Sequence, residues 1–408
     1  MSVDFNISLT DTQNKIKKEC IDWFNSESRK KNEPVFPILG ISGSGKSTLI
    51  SFIISEMNLK DEEVRFVAFT GMASLVLVRK GLSACTIHRL IYDSYEVYDK
   101  ITKKKKIAFK LKDKLDEKIK LIVVDEGSMV SENMMNELIS FHIPIIMLGD
   151  YFQLQPIGGQ INRFMFNTNY TRLSEPMRQA LDNPIVWMAN ELRNGIRPKY
   201  GSYDGKVNVY SKRDFPEECL TDTDQILAGK NNTCDYINKI VRIKYNHIKS
   251  RYPVVGDRLI CLKNNWEKCI SENLLDTFLV NGLLGTVKGI QFIDSNQTYS
   301  LDFQPIFMDN TYFTNLLSDT LVFDDINCKD ENYISDAFPQ VFIRRQKIYL
   351  SGMQINKFSY GYCVTVYKMQ GSQERKITYI DEVLNRNTYF NHFYTAITRA
   401  EEYCDIIM

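Results

Sequence analysis

At 408 residues, with 44% apolar and 12% aromatic content, the chain is long enough for two to four packed units with real cores. The 51 bases against 50 acids leave a formal net charge of +1, so any polyanionic partner must be gripped by local patches rather than by a global field. Nine cysteines without a CxxC pair and only four histidines argue against a zinc site or a disulfide framework. No run of eighteen apolar residues occurs, and the opening MSVDFNISLTDTQ carries acids where a leader would carry bases and then a hydrophobic stretch, so a soluble cytoplasmic protein without membrane contact is expected.

In chain order, the first third alternates short apolar runs with helical stretches: FPILG before GISGSGKSTLISFIISEM, then VRFVAFT, IKLIVVDE and IPIIMLGD. Runs of this kind predict buried parallel strands with crossover helices covering both faces, an α/β unit over residues 1–165 that binds ligands at its carboxyl edge. Between about 86 and 120 the alternation breaks into IYDSYEVYDKITKKKKIAFK, which predicts an inserted hairpin followed by a charged helix. Residues 100–120 are strongly basic, whereas 319–336 are mostly acidic. A second α/β unit is expected over 166–249 and 356–408. Between its halves, 250–355 carries VVGDRLICLKN, FLVNGLLGTVKGI and TYSLDFQ with Gly or Asn turn signals, predicting a small β-barrel.

Chemistry enters with GISGSGKS. Gly40, Gly43, Gly45, Lys46 and Ser47, with Thr48 beside them, match the phosphate-binding loop and lie between an apolar strand and a helix. Glycines let successive backbone N–H groups turn toward phosphates, the lysine reaches the β and γ oxygens, and the hydroxyl suits magnesium. Such a loop needs an acid at the end of a neighbouring strand, and LIVVDE supplies Asp125 to hold Mg2+ through water and Glu126 as the base that orients the attacking water. ATP and Mg2+ are therefore the expected cofactors.

A third strand leads into GDYFQLQPI, and from Gly149, Asp150, Gln153, Leu154 and Pro156 onward the chain resembles superfamily 1 helicases. LTDTQ, FTGMAS, TIH, LSEPMRQ, VTVYKMQGSQ and FYTAITRA follow the family's order across residues 9–400, most like the RecD-like, phage Dda-type branch. The resemblance implies two RecA-like P-loop motor domains with parallel sheets, a hairpin insertion and an SH3-like β-barrel insertion. It also implies a helicase moving 5′ to 3′ on single-stranded DNA, unwinding at single/double-strand junctions, functional as a monomer in a bacterial or phage-infected cell beside replication or recombination proteins. By the same resemblance Gln153 senses the γ-phosphate, Gln13 contacts adenine, and Arg178 and Arg399 act as arginine fingers. Thr70, His88, Thr365 and Lys368 fall in strand-contacting motifs. Tyr98 or Phe109 would form the strand-splitting pin, with Lys103 to Lys106 on phosphates. One departure is Tyr367, where the family usually writes a histidine before the lysine. A viral-type RNA helicase shares the phosphate loop and the GDxxQLxP element, although TIH and VTVYKMQGSQ favour the DNA branch. A nucleotide-gated binding protein without unwinding is the remaining alternative.

Overall fold

The computed structural model describes residues 8–99, 104–156, 159–167, 169–174, 183–248, 250, 252–272, 275–293, 298–319 and 355–408. They fall into two compact units, one built from segments 1–219 and 366–408, the other from 220–365. The units therefore cut across the segments 166–249 and 356–408 that the sequence groups together.

The first unit opens with α1 (Asp11–Asn25), started by a reciprocal capping box between Thr10 and Gln13 and burying Ile16, Cys20 and Trp23. There follow β1 (Val35–Leu39), α2 (Lys46–Glu56), β2 (Val64–Ala68), α3 (Gly71–Arg79), β3 (Ala84–Thr86), α4 (Ile87–Ile91), β4 (Tyr92–Asp99), β5 (Lys104–Leu111), β6 (Leu121–Asp125), α5 (Glu132–Ile139) and β7 (Ile145–Gly149). The apolar runs become a parallel sheet in the order β1–β7–β6–β2–β3. Every residue of β1 and β7 is buried, because helices cover both faces. One apolar cluster gathers Trp23, Phe36, Ile53, Val123 and Leu148; the other gathers Val67, Ile122, Met135 and Met147. Registers Leu39 with Gly149 and Ala68 with Asp125 bring the phosphate loop, the acidic pair and the GD turn to one carboxyl edge.

β4 and β5 pair antiparallel from Tyr92 with Leu111 to Asp99 with Lys104. The charged helix expected after this hairpin does not form: residues 112–120 run as turns and irregular chain. Asp116 is the physical reason. Its carboxylate accepts the Lys118 N–H at 3.0 Å and its carbonyl the Ile119 N–H at 3.0 Å, local bonds that compete with a helix. The Lys120 N–H is also taken by the Glu63 carbonyl at 2.8 Å.

After α6 (Pro184–Arg193), β8 (Gly201–Tyr203) and β9 (Val207–Tyr210), the chain enters the second unit. There β10 (Gln225–Ala228) is followed by α7 (Asn231–Ile240), β11 (Arg258–Cys261), β12 (Asn265–Glu272), β13 (Leu275–Leu279), β14 (Leu284–Ile293), β15 (Thr298–Pro305), β16 (Phe313–Asp319), β17 (Phe358–Tyr360) and β18 (Cys363–Thr365). β10 pairs parallel with β18, and a sheet in the order β16–β15–β14–β11–β17 occupies the β-rich stretch, with β12–β13 as a separate hairpin. Leu259, Phe303, Phe313 and Phe358 fill its interior. The buried Arg242 guanidinium holds Asp257 in a fork, Nε and Nη2 each at 2.9 Å from a carboxylate oxygen. Back in the first unit, β19 (Glu374–Ile380), α8 (Tyr389–Ile397) and β20 (Ala400–Ile407) end the chain, β19, β20 and β9 running parallel with β8 antiparallel at the edge. Among the described residues no helix is long and apolar enough to cross a membrane.

Candidate active site

The phosphate loop turns from β1 into α2. Gly43 and Gly45 stand at φ 73° and 78°, a left-handed backbone that a side chain would strain. Gly40 answers a different need: a Cβ there would sit 2.6 Å from Ser44 Oγ and 2.7 Å from Leu173 Cβ. Lys46 begins α2 and donates to the carbonyls of Gly40 and Ile41 at 2.8 and 2.9 Å, which places its ammonium across the mouth of the loop. Ser47 is exposed and Thr48 half-buried on the first turn. Gln13 reaches this loop from α1, its amide nitrogen donating to the Ser44 carbonyl at 3.1 Å while its amide oxygen accepts the Thr10 N–H at 3.0 Å. Both ends of the predicted adenine contact are thus engaged within the protein.

Asp125 ends β6 and accepts the Glu126 N–H at 2.9 Å, and Glu126 itself turns at φ 50°. Burial pushes both carboxyls above their ordinary range. For Asp125 the Glu126 N–H, Lys46, Lys80 and Arg399 oppose the rise; for Glu126 the main opposing group is Arg399. Arg399 follows α8 and is buried, with Nη1 3.7 Å from Glu126 Oε1 and its other N–H groups on Thr395 O, Ser372 O and Thr398 Oγ1. Gln153 closes the set. With its amide oriented by these neighbours, nitrogen donates to Glu126 Oε2 at 3.0 Å and oxygen accepts from Arg399 Nη2 at 3.2 Å.

This donor set fits a nucleoside triphosphate with a divalent cation. Among the described residues no cluster of three or more His, Cys, Asp or Glu could hold a metal alone, so a cation here needs outside oxygens. Magnesium is held in that way, by one or two carboxylates plus phosphates. Two half-buried carboxyls raised by desolvation are also the groups a cation would relieve.

Several supporting residues carry no single-residue signal in the sequence. The Tyr394 hydroxyl accepts the Ser42 N–H at 2.8 Å and donates to Asp150 Oδ2 at 2.6 Å. Thr395 Oγ1 accepts the Leu154 N–H at 2.9 Å, Asn391 donates to Phe152 O at 2.9 Å, and Gln370 donates to Leu154 O at 3.3 Å. The GD turn and the C-terminal helix, each quoted above as a motif, are thereby tied by side chains.

The predicted strand contacts are dispersed. Thr70 caps α3, its hydroxyl accepting the Ala73 N–H at 3.1 Å. His88 is exposed between the rings of Phe69 and Tyr92, at 6.4 and 5.5 Å, and partial desolvation lowers its pKa. Tyr92 meets Phe109 edge-on at 6.3 Å and donates to Glu137 at 2.5 Å, leaving Phe109 59% exposed. Lys368 is half-buried; beside it Tyr367 has its phenol pushed up by burial. Thr365 is buried at the end of β18 in the other unit, in register with Ala228. Arg178, Lys103 and the side chains of Tyr98 and Lys104 to Lys106 lie outside the described residues.

Comparison with known proteins gives the site a setting. The model of a family described as an AAA domain matches residues 28–214. The chain is 27% identical over 226 residues to the ATP-dependent DNA helicase Pif1 of Campylobacter jejuni, covering 49% of each chain. It is 28% identical over 178 residues to the ATP-dependent RecD2 DNA helicase of Deinococcus radiodurans, covering 42% of this chain and 23% of that one. The chain thus spans no more than about half the length of these curated relatives. In fold it is similar to Pif1 helicase from Candida albicans, with a TM-score of 0.54, 16% identity, and coverage of 98% of this chain and 94% of the other.

Proposed function

We propose, from the premise that the chain belongs to the Pif1/RecD-like branch of superfamily 1, that it is an ATP-dependent DNA helicase tracking single-stranded DNA 5′ to 3′ and opening duplexes at single/double-strand junctions. In this reading residues 1–165 form one motor domain, 166–249 with 356–408 the second, and 250–355 an SH3-like insertion. The observation that carries it is the set Glu126, Gln153 and Arg399, in which a base, an amide relay and a guanidinium from distant parts of the chain share direct bonds. A protein that only grips and releases nucleic acid does not need a base and a guanidinium bonded through one amide.

ATP with Mg2+ supplies the transferable phosphoryl group and neutralises its charge. Around it the loop amides would donate, Lys46 would exchange its carbonyl acceptors for phosphate oxygens, and Ser47 with Asp125, the latter through water, would hold the ion. Glu126 orients water and takes its proton. Arg399 faces the charge that spreads in the transition state, and Gln153 passes its position to the GD loop. Phe109 and the lysines of the hairpin suit stacking and phosphate contact at a junction.

The test is ATP-driven unwinding of duplexes carrying a 5′ or a 3′ single-strand tail, with Lys46→Ala as control. Opening of the 5′-tailed duplex by the wild type alone supports the reading. Preference for the 3′ tail overturns the direction, stronger stimulation of turnover by RNA than by DNA overturns the substrate, and turnover without unwinding overturns the helicase assignment.

A further inference from the structure

Asp150 is a buried carboxylate that the proposed chemistry does not use, and Ser42 is the phosphate-loop residue whose amide lies outside the Gly43–Ser47 cradle. One hydroxyl joins them. Tyr394 Oη accepts the Ser42 N–H at 2.8 Å and donates to Asp150 Oδ2 at 2.6 Å, and its side chain is 1% exposed with Phe152 edge-on at 5.2 Å. Asp150 in turn accepts the Phe152 N–H at 3.0 Å, so the carboxylate shapes the loop that presents Gln153. The same helix delivers Thr395 to the Leu154 N–H and precedes Arg399. Burial first, and then the Asp150 carboxylate, push the Tyr394 phenol well above its ordinary pKa, so it remains a donor.

We propose that Tyr394 is a positioning residue that locks the phosphate loop, the GD loop and the C-terminal helix into one hydrolytic arrangement, so that the loop's geometry and the placement of Gln153 and Arg399 change together. This rests on the reading of the site as an ATPase. Tyr394 touches no reacting atom; it acts through the Ser42 amide and through Asp150. Loss of the hydroxyl leaves the buried Asp150 carboxylate and the half-buried Ser42 N–H each short of a partner, while Lys46 keeps its own bonds to the loop carbonyls. Binding of nucleotide and the rate of the chemical step should therefore separate.

The experiment compares wild type and Tyr394→Phe, which keeps the ring against Phe152, with Asp150→Asn as a second variant that retains an acceptor for the phenol. Three quantities are read: the dissociation constant of a fluorescent ADP, the single-strand-stimulated kcat for ATP, and amide exchange of the peptide spanning residues 40–47. Expected for Tyr394→Phe are ADP affinity within about threefold of wild type, kcat lowered at least about tenfold, and faster exchange in that peptide, in keeping with one lost charge-assisted hydrogen bond. Asp150→Asn should recover most of the exchange protection. Unchanged kcat, an equal loss of affinity and rate, or unchanged exchange overturns the proposal. A wild type that hydrolyses no ATP refutes the functional reading instead, and the exchange comparison then decides the positioning role by itself.

Discussion

Replacing Arg399 with alanine should expose the electrostatics of the site as a stability loss that grows with pH. The guanidinium lies 3.7 Å from Glu126 and the pair is largely buried, 5% and 19% exposed in their side chains. At an effective dielectric of roughly 20, that separation is worth about 4 kcal/mol. Removal also relieves the burial cost of the arginine itself, which sets the net loss near about 3 kcal/mol, the lower end for breaking a buried pair. The sign with pH follows from the carboxyls. Burial already raises Glu126 and Asp125, and Arg399 is a lowering influence on both, so its loss raises them further. An acid raised in the folded state binds more protons there than when unfolded, so stability falls as pH climbs from the unfolded value of about 4.3 toward the folded one. The deficit should therefore be smaller at pH 5 than at pH 8. At about 2–4 °C per kcal/mol for a body of this size, the melting temperature should drop by about 6–12 °C at pH 8. Thermal unfolding of wild type, Arg399→Ala and Arg399→Ala with Glu126→Gln, each at pH 5 and 8, measures it. A deficit that ignores pH, or a double variant no more stable than the single one, would refute the claim that an unpaired Glu126 is the cause.

Two further outcomes follow from named contacts. Thr395→Val keeps the shape of the side chain but strips the acceptor from the Leu154 N–H, so we expect a loss of about 1–3 kcal/mol and a melting temperature lower by a few degrees in calorimetry; no change would mean that the 2.9 Å bond contributes nothing net. Phe109→Ala should cut unwinding of a tailed duplex several-fold while leaving strand-stimulated ATP turnover within about twofold, since base stacking on one exposed ring is worth about 1–3 kcal/mol and the ring has no part in hydrolysis in the proposed scheme. Parallel loss of both activities would remove the hairpin from strand separation.

The parts of this molecule that were legible in the sequence are those whose physics is local. Four apolar runs, three of them closed by Gly or Asp, had to be buried strands, and a parallel sheet then brings Gly40, Asp125 and Gly149 to one edge without further information. The charged stretch after the hairpin failed for an equally local reason, because helix-compatible composition was overruled by Asp116 bonding its own backbone neighbourhood. Gln13 belongs between the two. The resemblance assigns LTDTQ a nucleotide contact through Gln13, and the same T-x-x-Q spacing is also a capping box, in which the Gln13 amide bonds Thr10 and Ser44. Side-chain ties between the GD turn and α8 link residues more than two hundred positions apart, which no periodicity can pair. Even so, α8 carried a readable signal. Its body is mostly buried, yet Asn391, Thr395 and Arg399 recur at intervals of four, a polar stripe on one face of an otherwise enclosed helix that Arg399 continues two residues past its end. Buried polar groups must be bonded, so such a stripe requires a polar surface opposite it. The loop from Asp150 to Leu154, rich in backbone groups that no strand satisfies, is the surface that answers, and it brings Gln153 and through it Glu126 within reach of the arginine.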